Sequence, residues 1–133
     1  MRVTTIKVIA LILLGLVLFS IPSSGKQALI KGKYKIILSR TTTFTAYNSM
    51  VGQTDSTPWT TAAGTRCREG VIAANHLPIG TKVMIEGFPN RIFVVEDRMN
   101  RRYKKRIDIW FRSYNDALKF GRRTIKYHVL EEA

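Results

Sequence analysis

The sequence predicts a mainly β domain: a closed barrel of six short strands with one brief helix. Three observations carry that expectation. Six runs of apolar, β-branched and aromatic residues recur between Thr41 and Leu130, each bounded by Gly, Pro, Asn or charged residues. One segment alone has helical punctuation, with Ser113 before it and Gly121 after it. The chain has 133 residues and a single cysteine, so it must close one core without an intrachain disulfide.

In chain order, residues 1–25 read as an export signal or a signal anchor. Arg2 and Lys7 form a positive start, and Val8–Ile21 is apolar apart from Gly15 and Ser20. Those 14 residues suit the hydrophobic region of a signal peptide better than a full span, which needs about 20. Pro22 breaks a helix there, and Ser23 and Gly25 fit the small positions before a cleavage site. If the segment stays attached, residues 8–21 offer membrane attachment. Residues 26–40 form a basic lead-in, within which Tyr34–Leu38 reads equally as an edge strand or as linker. The domain itself is expected over residues 41–131.

The expected strands are Thr41–Tyr47, Gly70–Ala74, Lys82–Glu86, Arg91–Glu96, Arg106–Phe111 and Thr124–Leu130. The third and fourth form a hairpin through Gly87 and Pro89-Asn90. In the last strand Ile125, Tyr127 and Val129 share one face. Ser113 with Asp116 starts the helix as an N-cap and box-like pair, and Ala117, Leu118 and Phe120 give it an apolar stripe. Asn48–Glu69 is a long Thr-, Ser- and Gly-rich loop, the kind that in a small domain carries function or floats free.

The formal net charge is +13. Removing Arg2 and Lys7 leaves 20 basic and 9 acidic residues, still +11. Such a chain seeks a polyanion. Once exported, it meets cell wall or anionic lipid rather than nucleic acid. No zinc-finger spacing, phosphate-binding glycine loop or RNA-recognition signature is present, so no nucleic-acid partner is expected. His76 and His128 lack partners at metal-ligand spacing and read as structural, and Cys67 reads as a partly buried small residue. No metal and no cofactor is implied.

The chemistry concentrates between Glu96 and Trp110. Asp97 and Asp108 bound a basic loop, and by strand alternation Ile107, Ile109 and Phe111 face a core while Asp108 and Trp110 face away. A solvated hairpin with a charged turn is the bland alternative. Against it stands an acid in the middle of an Ile-x-Ile-x-Phe strand, where a neutral polar residue costs less.

Thr45-Ala46-Tyr47, Asp55, Thr61, Gly64, Leu77-Pro78-Ile79-Gly80-Thr81, Glu96-Asp97, Arg106–Phe111 and Phe120-Gly121 together resemble the three-aspartate (3D) domain. The most specific part is the eleven-residue step from Asp97 to Asp108, followed by a helix and Phe-Gly. That family is a double-psi β-barrel similar to the catalytic barrel of membrane-bound lytic transglycosylase A. The resemblance covers about Phe44 to Leu130. It implies a peptidoglycan lytic transglycosylase that cleaves the MurNAc–GlcNAc β-1,4 bond and leaves a 1,6-anhydro-muramyl end. It places the acid/base on Asp108 and its companions on Asp97 and Asp55. The alternative is a non-catalytic wall-binding or wall-loosening barrel. Relatives carry glycines in the loop after the second aspartate, whereas Met99-Asn100 and a basic run stand here, which puts that loop's path in question. Trp59 and Trp110 are candidate sugar-stacking surfaces. Thr61, Arg101, Arg102, Lys104 and Arg106 are candidate substrate contacts, the cations suiting stem-peptide and lactyl carboxylates. The expected partner is therefore peptidoglycan glycan strands.

Overall fold

The computed structural model describes residues 33–50 and 58–133. The signal or anchor at 1–25, residues 26–32 of the lead-in and Asp55 lie outside the described residues. Among those described, no helix is long and apolar enough to cross a membrane.

Six strands close into a barrel: β1 (Tyr34–Tyr47), β2 (Val71–Ala74), β3 (Lys82–Ile85), β4 (Phe93–Asp97), β5 (Ile107–Trp110) and β6 (Arg123–Glu132), in the spatial order β1-β5-β2-β4-β3-β6. Two pairings are parallel, β1 with β5 and β2 with β4, and the other four are antiparallel. All six expected runs are strands, with ends moved by a few residues. The largest change is at the lead-in. Tyr34–Leu38 is strand, because β1 runs beside β6 as far as the Tyr34↔Glu132 pair. Of the two readings open for Tyr34–Leu38, strand is the one seen, and the barrel begins within the basic lead-in rather than at Thr41.

The core follows strand alternation. Phe44, Ile72, Ala74, Val83, Ile85, Phe93, Val95, Ile107, Ile109, Tyr127 and Val129 are buried in one cluster, and Phe111 and Ile125 pack against it. The helix α1 (Tyr114–Phe120) begins at Ser113, whose Oγ accepts from the Asp116 amide at 3.3 Å. It ends at Gly121, whose φ of 61° suits a residue without a Cβ. Ala117 and Phe120, three residues apart, face the barrel, with the Phe120 ring 5.3 Å from Phe111. Leu118, expected in that stripe, is turned to solvent, since helix geometry rotates it about 100° from Ala117.

A second, smaller cluster lies on the opposite face of β1, β2 and β5. Cys67, Val71 and Trp110 are buried there with Tyr47 against them. The described part of the long loop, from Pro58 to Glu69, roofs this face. Cys67, Thr61 and the exposed Trp59 all belong to it. Its end is fastened by Glu69, which pairs with Arg91 at 3.3 Å and accepts from the Arg112 amide at 3.3 Å.

Candidate active site

The site is a row of residues across four strands. Thr45 on β1 pairs with Asp108 on β5, Asp108 with Ala73 on β2, and Ala73 with Asp97 on β4. Residues in register across a sheet point to the same side. By simple alternation Asp97 would follow Phe93 and Val95 into the barrel interior. A bulge prevents this. Val95 pairs with Ile72, but the next β2 residue, Ala73, pairs with Asp97, so Glu96 is the extra residue. The bulge turns Asp97 onto the face that carries Asp108 and Tyr47. Glu96 is held by Arg68, whose Nη1 lies 2.7 Å from Glu96 Oε2.

The two carboxylates are treated differently. Asp97 is fixed by three donors: the Ala62 amide at 3.0 Å and the Arg98 amide at 2.9 Å on Oδ1, and the Tyr47 hydroxyl at 3.0 Å on Oδ2. Such a charged acceptor pins the roof loop to β4. Burial, and then the charge of Asp97, hold the Tyr47 proton well above the usual phenol range, so Tyr47 remains a donor.

Among the described residues Asp108 has one side-chain partner, the Thr45 hydroxyl, which donates to Oδ1 at 3.1 Å. Its pKa is pushed up to about 6. Desolvation is the main cause. The Thr45 hydrogen bond and the Arg106 charge oppose it, and the Asp97 charge adds a smaller push upward. Arg106, at the end of the basic loop, thus works against the acid, but burial prevails.

The glycine-free loop from Arg98 to Arg106 needs no glycine. Asn90 is the one non-glycine residue with positive φ among the described residues, and it lies elsewhere. The loop's path is fixed by Asn75 instead. Its Nδ2 donates to the Asn100 carbonyl at 2.9 Å and the Tyr103 carbonyl at 3.1 Å, and its Oδ1 accepts from the Met99 amide at 2.9 Å. Arg98 Nη1 donates to the carbonyls of Ala74 and Leu77.

Several expected contacts sit differently. Trp110 is 1% exposed, its Nε1 donating to Ser49 at 2.8 Å, so it has no open face for a sugar. The roof loop covers it, which strand alternation alone does not reveal. Trp59 is 45% exposed and packs edge-on against Trp110, with ring centroids 6.4 Å apart. Thr61 is buried, and its hydroxyl closes the turn to Thr65 at 2.7 Å rather than reaching outward. Arg102 and Arg106 lie over the Tyr103 ring, at 4.8 and 4.2 Å. Arg101 and Lys104 are exposed beside a cleft. His128 sits between Ser39 and Glu86, and His76 Nε2 lies 3.3 Å from the Tyr127 hydroxyl.

The sequence reading did not assign Thr45, Tyr47 or the Ala62 amide to the site. Thr45 and Tyr47 alternate with the core residues Phe44 and Ala46, which is a usable signal once β1 is known to lie beside β5. The Ala62 amide has no signal in side-chain identity. No protein-family model matches this chain, and no curated protein matches it at a significant level.

Proposed function

We propose that this protein is a double-psi β-barrel lytic transglycosylase acting on peptidoglycan, with Asp108 as its single acid/base. The closed barrel with two parallel pairings between strands distant in sequence supports the double-psi reading. The observation that carries the chemistry is Asp108 itself: a half-buried carboxyl whose proton is held to about pH 6, beside a carboxylate fixed by three donors.

A pKa near the working pH lets one group give a proton and take one back. Asp108 protonates the glycosidic oxygen as the bond to the muramyl anomeric carbon breaks. As carboxylate it then accepts the proton of the muramyl C6 hydroxyl, whose oxygen bonds to the anomeric carbon. The product is a 1,6-anhydro ring, with no water consumed and no enzyme nucleophile needed, unlike the two-carboxylate glycosidases. Asp97 orients the site and carries negative charge near the developing cation. Asp55, outside the described residues, is the remaining companion. Trp59 is the sugar-stacking surface. Export through residues 1–25 brings the basic barrel to the wall.

Incubation with purified sacculi tests this reading. Soluble fragments ending in 1,6-anhydro-muramic acid, identified by mass spectrometry, are the expected outcome. Pull-down with the sacculi and no release would assign a wall-binding barrel. Reducing ends without the anhydro mass would assign a hydrolase.

A further inference from the structure

Beside the carboxylate row lies a cleft of about 570 Å³, lined by Asn75, His76, Arg98, Met99, Arg101 and Lys104. It begins where the row ends. Asn75 comes two residues after Ala73, which both aspartates flank, and Arg98 directly follows Asp97. Among the described residues, no acidic side chain lines it. Neither Arg101 nor Lys104 pairs with an acid among the described residues. The charges of Arg40 and Lys105 also reach this region, where they disfavour the protonated form of His76 after burial has done so. The cleft is thus a cationic recess in which no described acid pairs with Arg101 or Lys104.

We propose that this cleft is the subsite for carboxylates of the peptide carried by the muramyl sugar, with Arg101 and Lys104 as the specificity-determining cations. The proposal rests on the glycan-cleaving reading above and adds where the peptide-bearing side of the substrate lies. Two features favour carboxylates along a peptide over a phosphate. Phosphate sites are commonly built from converging backbone amides. Here the Met99, Arg102 and Tyr103 amides are spent on Asn75 Oδ1, Asn100 Oδ1 and the Asn100 carbonyl. The cations also stand apart on separate residues of an open recess, which suits several planar acceptors on an extended chain. The Arg102 and Arg106 guanidinium groups are stacked on Tyr103 and Arg102 also donates to its hydroxyl at 2.7 Å, so they are assigned no part in the cleft.

The test is equilibrium binding of the full-length Asp108→Asn protein to three probes: glycan with stem peptides bearing free carboxylates, the same glycan after amidation, and glycan stripped of peptide. Amidation is expected to weaken binding about tenfold, the loss of two solvent-screened ion pairs. Adding Arg101→Gln with Lys104→Gln should bring the two forms within about twofold of each other. Adding Arg122→Gln with Lys126→Gln, which removes equal charge elsewhere, should leave the discrimination in place. Circular dichroism checks each fold, and Arg101→Gln alone serves if the double variant does not fold. Equal binding of free and amidated forms overturns the proposal, as does discrimination that survives loss of both cleft cations. A glycerol-phosphate polymer is titrated as a fourth probe, and tighter binding to it than to stem-bearing glycan also overturns the proposal. Anhydro products released from sacculi by the parent protein, with no discrimination in binding, would sink the subsite alone, and discrimination with no anhydro products from the parent would sink the transglycosylase alone.

Discussion

Asp97 and Asp108 flank the same residue, Ala73, from opposite sides, one on β4 and the other on β5. Two strand spacings put their backbones about 10 Å apart, close enough for each side chain to feel the other's charge. Their environments then separate them. Asp97 has three donors, whereas Asp108 has one hydroxyl and a desolvated setting. A carboxyl whose surroundings raise its pKa beside a second carboxylate is a recurring basis for acid/base roles.

Thr45→Val tests the hydroxyl that favours the ionised form of Asp108. Valine keeps the shape and removes the donor. Asp108 should then hold its proton to higher pH, by up to about one unit for a hydrogen bond of this kind. The alkaline limb of the pH–rate profile for sacculus release should move upward. A limb that stays or moves down would detach Thr45 from the acid.

Asp97→Asn should move the same limb the other way, because the Asp97 charge raises the Asp108 pKa. The shift should be small, as this is the last of the causes acting on Asp108. Asn Oδ1 still accepts from the Ala62 and Arg98 amides, so the fold persists with a loss of about 1–3 kcal/mol from weakened charge-assisted bonds. Tyr47→Phe should cost about 1 kcal/mol and leave the limb nearly in place. Chemical denaturation alongside the profile separates the two effects.

The tryptophans should divide cleanly. Trp110→Ala removes a fully buried ring and should destabilise by about 3–5 kcal/mol. Trp59→Ala loses an edge contact, at about 1 kcal/mol, yet should weaken glycan binding. If Trp59→Ala binds peptide-stripped glycan as the parent does, the stacking role fails.

The barrel's strands and its helix were legible because their signals are local. Ile107, Ile109, Tyr127 and Val129 alternate, and Ser113 and Gly121 punctuate α1. The candidate site was only half legible. Its acids could be picked out by type, but the register that unites them depends on a bulge at Glu96, for which the run Phe93–Asp97 carries no glycine or proline marker. The burial of Trp110 and Thr61 depends on a loop folding back over β5, a contact between residues more than forty positions apart in the case of Trp110 and Ser49. The start of β1 at Tyr34 depends on β6 continuing to Glu132, which no local pattern announces. Long-range pairing decided each of these, and composition does not encode it.

Asp108→Asn should separate activity from stability. The carboxyl's pKa rises from its ordinary 3.8 to about 6 in the fold. Between those values the folded state binds more protons than the unfolded one. Stability is therefore greatest at low pH for this group and falls as pH rises through that window. Above it the fold carries the full penalty of a desolvated charge, up to about 3 kcal/mol for a shift of this size. Asparagine removes the charge and keeps an oxygen for the Thr45 hydroxyl. At pH 7.5 the variant should unfold at a higher denaturant concentration than the parent, and near pH 3.5 the two should nearly coincide. Release of anhydro-muropeptides should meanwhile fall about 10²–10⁴-fold, the usual contribution of general acid–base action. A variant that gains stability and loses release is the signature of a carboxyl kept in an unfavourable setting for its chemistry. A variant that loses stability at pH 7.5 would show that Asp108 is held as a structural anion, and one that keeps near-parental release would remove it as the acid.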